Sequence, residues 1–165
     1  MIKVYKENVV LSISEEQLTE YTKKGFKEVG KKEVTDKEKI AKDSYERDVK
    51  NHYHPKNGTY KDIGIHEAGH MVLNEILRKK YNDFDMVAID WNNNITSKQI
   101  VDKAFDKLKI SDIIQQKRKI ADISIHAEKY NSSETIAEAF ADYYTNKNNA
   151  QLLSKAIVEV MKGMI

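Results

Sequence analysis

The stretch Ile63-Gly64-Ile65-His66-Glu67-Ala68-Gly69-His70 holds a complete H-E-x-x-H pattern inside a segment that reads as a helix. Residues four apart stack on one helix face, so His66 and His70 can present two imidazole nitrogens to a single metal ion. Glu67 falls one position past the first histidine, beside the ion rather than on it, where a carboxylate takes a proton from metal-bound water. That is the geometry of a zinc hydrolase, which requires a third protein ligand and an open fourth position.

Composition narrows the donors. The 165 residues include no cysteine, which excludes disulfides, thiolate metal sites and cysteine nucleophiles, so Zn2+ has to be held by His, Asp or Glu. Lys plus Arg total 28 against 26 for Asp plus Glu, and a net charge of +2 supplies no general field for nucleic acid or anionic membranes. Lysines crowd residues 23–42, but acidic residues interrupt them, as on a solvated face. No apolar run approaches the roughly 18 residues of a membrane span, so neither nucleic acid nor membrane is expected as a partner. The start alternates apolar and charged residues without the apolar core of a leader, and a cytoplasmic location is the expectation.

Outward from the motif, the chain reads as a mostly helical α+β protein. Residues 2–5 and 8–13 predict two strands around Glu7-Asn8, and Ser14 with Gln17 predicts a capping box opening a helix that Gly25 ends. Residues 1–35 are therefore a small β-β-α module, joined by a charged linker over residues 30–36 to a main domain at 36–165. There a polar helix is expected from Asp36 to about Val49 with Ile40, Tyr45 and Val49 on its apolar side, then an edge strand ending near Pro55 and a turn at Asn57-Gly58. The central helix follows at residues 60–81, with Gly69 admitting a close neighbour. Residues 84–91 read equally as a strand or a turn of helix. Asn92-Asn93-Asn94 reads as a loop, with Thr96 or Ser97 capping a helix to about Lys109. Ser111-Asp112 starts another helix, residues 123–132 break the pattern, Ser132 or Ser133 caps a helix from Glu134 to about Tyr144, and a last helix covers 150–162.

Three residues compete to be the third ligand: Glu134 and Glu138, four apart on one helix face, and His126. The three-histidine extension of the motif requires a glycine and a histidine that Leu73 and Ile76 replace, so a three-histidine site is not expected. The order His54-Pro55, His66-Glu67-Ala68-Gly69-His70, Ser124-Ile125-His126-Ala127, Asn131 and Glu134-Thr135-Ile136-Ala137-Glu138-Ala139-Phe140 resembles the glutamate-ligand zincins. That family of metallopeptidases includes the catalytic domain of anthrax lethal factor, the Pro-Pro endopeptidases and phage-encoded members. The resemblance spans roughly residues 50–145 and implies a zincin-like domain with a small sheet. It further implies a protein or peptide substrate, Glu134 on zinc and Glu138 supporting the site from behind. Residues 1–35 separately resemble a short segment of bacteriophage and prophage proteins, which speaks to origin and carries no chemistry.

In that family a tyrosine before the ligand stabilises the oxyanion. Here the aligned position holds His126, and Tyr130 stands four residues nearer Glu134; imidazolium and phenol are both suitable donors, and His126 is the favoured one. The expected activity is zinc-dependent endopeptidase hydrolysis with Glu67 as general base. The competing reading is a non-catalytic, phage-related structural or interaction protein with a vestigial or purely structural zinc site.

Overall fold

Ile2–Lys6 (β1) and Val9–Ile13 (β2) pair antiparallel in the computed structural model, with Ile2 opposite Ile13 and Val4 opposite Leu11. The structure describes residues 2–6, 9–28 and 31–165, so the predicted turn at Glu7-Asn8 lies outside the described residues. Pairing puts Val4 and Ile13, both almost fully buried, inside this small unit. The Ser14 backbone N–H donates to Gln17 Oε1 at 3.1 Å, closing the capping box that opens a 3-10 turn at Glu15–Gln17 and the helix Leu18–Lys23 (α1). Gly25, at φ +82°, ends α1 in the left-handed conformation that glycine adopts without strain. The chain then reverses: the Phe26 N–H reaches Tyr21 O at 3.0 Å, their rings meet edge-on, and Lys27–Glu28 (β3) adds to β1. The three-stranded sheet has the order β2-β1-β3.

Residues 31–36 of the expected linker are helical, and residue 30 lies outside the described residues. Lys31–Lys50 forms a single helix (α2), because the segment is rich in good helix formers and carries neither Gly nor Pro. Two compact units result, Met1–Asp43 and Ser44–Ile165, and the division falls within α2 rather than at residue 35. Ile40 is exposed, whereas Tyr45 is buried.

The regular elements of the second unit are all helices, so the small sheet expected there is absent among the described residues. The edge strand predicted before Pro55 is replaced by a helix end: His52 adopts φ 60°, its N–H bonds Val49 O at 3.0 Å, and the Tyr53 N–H bonds Asp48 O at 2.8 Å. This closure satisfies the last carbonyls of α2 and turns the chain sharply, which an extended strand could not do. A second capping box, from Thr59 to Asp62, starts a 3-10 turn that leads into the central helix Ile63–Tyr81 (α3).

Residues 84–91, ambiguous in sequence, are helical: Asp83 accepts from the N–H groups of Asp85 and Met86 and starts Phe84–Asn93 (α4). The next helix, Ile95–Leu108 (α5), follows at once, with Asn94 at its N-terminal boundary instead of Thr96 or Ser97. Both are buried in its first turn. The physical reason is Asp90 at the end of α4, whose buried carboxylate accepts Thr96 N–H at 2.8 Å, Thr96 Oγ1 at 2.6 Å and Tyr81 Oη at 2.7 Å. One side chain thus supplies the missing N-terminal partner of α5 and ties it to α3.

Of the expected start Ser111-Asp112, it is Asp112 that caps Ile113–Ile123 (α6), its Oδ1 accepting from Gln115 N–H. Residues 123–132 contain a short helix, Ile125–Lys129 (α7), capped by buried Ser124 through the Ala127 N–H at 3.0 Å. Neither Ser132 nor Ser133 caps the next helix; Asn131 Oδ1 does, accepting from Ser133 N–H and Glu134 N–H, and Ser132–Asn146 (α8) carries Glu134 in its first turn. Leu152–Lys162 (α9) completes the unit. The core gathers Leu73 and Ile76 of α3, Ile100 and Phe105 of α5, Ile136 of α8 and Ile157 of α9.

Two glycines of α3 have opposite surroundings. A Cβ on Gly69 would lie 2.9 Å from Ala137 Cα and 3.0 Å from Phe140 Cβ of α8, while a Cβ on Gly64 would meet nothing within 4 Å. Gly64→Ala is expected to raise stability by about 0.5–1 kcal/mol through helix propensity. Gly69→Ala is expected to lower it by about 1–3 kcal/mol through overpacking, and urea melts of the two variants measure the opposed signs.

Burial alone would raise the Asp90 carboxyl pKa, but the bonds from Thr96, Tyr81 and Lys80 outweigh it and hold the group below the ordinary aspartate value. A depressed folded value means that the stabilisation is fully present above the unfolded pKa, about 3.9, and is lost as pH falls through the folded value. Asp90→Asn is expected to cost about 1.5–3 kcal/mol at pH 7, with the gap to wild type narrowing by pH 3 in denaturant melts at both pH values.

Candidate metal centre

The close approach at Gly69 lets α3 lie along α8, and one face of each helix carries ionisable groups toward the other. His66 and His70 occupy successive turns of α3; Glu134 and Glu138 occupy successive turns of α8. His66 Nε2 is 3.4 Å from Glu134 Oε2, and His70 Nε2 is 3.4 Å from Glu134 Oε1. The first carboxylate of α8 therefore faces the outer nitrogen of both motif histidines. Asn131 capping and the favourable dipole of the helix N-terminus hold Glu134 in the first turn, where a carboxylate is stabilised.

Glu138, one turn deeper, is fully buried. Its Oε1 lies 3.2 Å from His66 Nδ1, 3.0 Å from His126 Nδ1 and 2.9 Å from His54 Nδ1. Burial pushes this carboxyl's pKa up, yet the bonds from His126, His54 and His66 pull it far below the ordinary glutamate range, so Glu138 is an anion at the centre of three imidazoles. Its second oxygen, Oε2, is buried without a hydrogen-bond partner.

The two motif histidines differ electrostatically. Burial lowers the pKa of His66, but the carboxylates of Glu138, Glu134 and Glu67 overcome it and leave the imidazole above its usual value. For His70 burial prevails, helped by the neighbouring His66, and the pKa falls despite Glu134. His70 Nδ1 is buried with no partner, and the Trp91 ring stands 5.9 Å from its ring.

Among the described residues the ligand atoms of His66, His126 and Glu134, and separately those of His54, His126 and Glu138, lie within 4.8 Å of one another; His70 is in neither group and joins the cluster through Glu134, 3.4 Å from its Nε2. Glu67 is exposed, with its charge felt by both motif histidines. His126 has its Nδ1 engaged by Glu138 and stands 3.7 Å from Glu134 Oε2, leaving Nε2 as the nitrogen it can offer elsewhere. Tyr130 is half exposed, packs 4.5 Å from the His126 ring and shares a hydroxyl hydrogen bond of 3.2 Å with Tyr53.

His54 and Tyr53 escaped the sequence reading as site residues. Four of the five histidines, His54, His66, His70 and His126, belong to the cluster, and a cysteine-free chain with so few histidines was the available signal.

The cluster's donor set suits a zinc ion. Imidazole nitrogens and a carboxylate are borderline and hard donors of the kind zinc takes, with no thiolate needed. His66 also has the carboxylate behind its far nitrogen that orients such ligands. His66, His70 and Glu134 are each 15–24% exposed, so the donors are sheltered but reachable from solvent. Compared with protein-family models, with curated proteins and with solved structures, the chain gives no match.

Proposed function

We propose that the protein is a zinc-dependent endopeptidase of the glutamate-ligand zincin type, with His66, His70 and Glu134 holding the metal and a protein or peptide as substrate. The observation that carries this reading is the Glu134 carboxylate, whose two oxygens face His66 Nε2 and His70 Nε2 at equal distance across the α3–α8 contact. Zinc bound there supplies Lewis acidity, which lowers the pKa of water and polarises a carbonyl.

The chain's own groups account for the rest. Glu67 follows His66 directly on α3 and is open to solvent, so its carboxylate can take the proton of the attacking water and return it to the departing amine. Glu138, 3.2 Å from His66 Nδ1, is placed to accept that Nδ1–H, which leaves the Nε2 lone pair for the metal. An oxyanion donor comes from His126, through Nε2, or from the Tyr53–Tyr130 hydroxyl pair. In that pair one hydroxyl proton is spent on the other oxygen and one remains free.

Elemental analysis of purified protein is expected to find about one zinc per chain, with His66→Ala and Glu134→Ala each losing most of it. Glu67→Gln is expected to keep the zinc and lose about 10²–10⁴-fold in turnover on a peptide library. Full zinc in His66→Ala and Glu134→Ala removes the site. Zinc retention with no cleavage by wild type returns the protein to the non-catalytic reading.

On zinc-saturated protein, His126→Ala is expected to lower kcat about 10²–10³-fold with little change in KM, because an oxyanion exists only on the way through the transition state. Tyr130→Phe is the companion variant, and a loss of kcat there with wild-type turnover in His126→Ala transfers the role to the tyrosine pair.

A further inference from the structure

Glu138 is approached unevenly. Three imidazole nitrogens converge on Oε1, the closest being His54 Nδ1 at 2.9 Å and the farthest His66 Nδ1 at 3.2 Å, while buried Oε2 has no partner. A carboxylate at the end of a glutamate stem is oriented by what binds it, and with one oxygen unpaired the grip on the other must come from groups that are themselves immobile.

His54 is such a group. Its ring stacks on that of buried Tyr45, 4.7 Å between centroids and 14° between planes, and Tyr53 packs edge-on against it at 5.4 Å. Buried Pro55 follows directly, restricting the His54 backbone. The segment just before is tied to the far side of the site at three points. His52 O accepts the Ile125 N–H at 2.9 Å, Tyr53 O accepts the His126 N–H at 3.1 Å, and His52 Nε2 bonds Ala121 O at 3.0 Å. One bracket, residues 52–54, thus presents His54 to Glu138 and at the same time fixes the backbone of the second imidazole, His126, that holds the same oxygen.

We propose that His54 is a positioning residue of the metal centre, which through Glu138 keeps His66 in the tautomer and orientation that present Nε2 to the ion. This rests on the metal reading above. It assigns part of the centre's affinity to a residue outside the ligand set, on a segment with no part in the H-E-x-x-H pattern.

Two substitutions separate the ring from its proton. His54→Phe keeps a flat ring against Tyr45 and removes the N–H; His54→Gln keeps an N–H donor and removes the ring. Zinc affinity by competition with a chelator is expected to weaken about tenfold or more in His54→Phe, with one ion still bound per chain, and to recover substantially in His54→Gln. Nitrogen-detected NMR of zinc-loaded wild type, which needs no variant, is expected to show His54 and His66 both protonated at Nδ1.

Wild-type affinity in His54→Phe overturns the proposal, as does a His54 protonated only at Nε2. Uptake of two zinc ions by wild type and one by His54→Phe also overturns it, by making His54 a ligand of a second ion together with His126 and Glu138. Failure of the metal reading is distinguishable: wild type then takes up no zinc, or His66→Ala and His70→Ala leave its affinity unchanged.

Discussion

The absence of a side chain at Gly69 is the constraint on which the candidate centre depends. Ala137 Cα and Phe140 Cβ occupy the space where a Cβ would stand, so α3 and α8 approach with backbone nearly against backbone. Imidazole and carboxylate side chains are short relative to an ordinary interhelical spacing of 8–10 Å. Only a close crossing lets His66 and His70 reach Glu134, and His66 reach Glu138. The same glycine lies inside the five-residue motif, so the residue that permits the packing and those that use it travel together in the sequence.

Burying Glu138 without charge partners would be strongly unfavourable, since the interior disfavours the ionised form. The site meets that cost with imidazoles from three separate segments: the turn after α2, the first turn of α3 and α7. Removing any one leaves a buried anion less well satisfied, which couples segments far apart in sequence. Nitrogens committed to Glu138 are also fixed as donors, so the arrangement that stabilises the carboxylate chooses which nitrogen each histidine presents elsewhere. Structure and chemistry here use the same hydrogen bonds.

A second polar knot serves the scaffold. Asp90 closes the start of α5 and holds the end of α3 through Tyr81, with Lys80 at 3.3 Å. The far end of the motif helix is thereby anchored while its N-terminal half carries His66 and His70. The sheet of the first unit is a self-contained arrangement of three short strands and a capped helix, and no metal-ligating cluster falls among its described residues.

Local chemistry was legible wherever a few neighbouring residues suffice. The capping box at Ser14, the turn at Gly25, the Asp112 cap, the central helix and the i, i+4 pairs His66/His70 and Glu134/Glu138 all follow from short-range spacing. Misreadings arose where a distant partner overrode the local signal. Thr96 looked like a cap until Asp90 from another helix took the task; the His-Pro stretch looked like an edge strand until the end of α2 closed around His52. His54 shows the limit most clearly, because its Nδ1 meets a carboxylate 84 residues away. By itself the sequence determined which donors exist and which pairs share a helix face. Tertiary structure decided which carboxylate meets which nitrogen, since that depends on how closely two helices pack and on which segments their contact brings around a single buried charge.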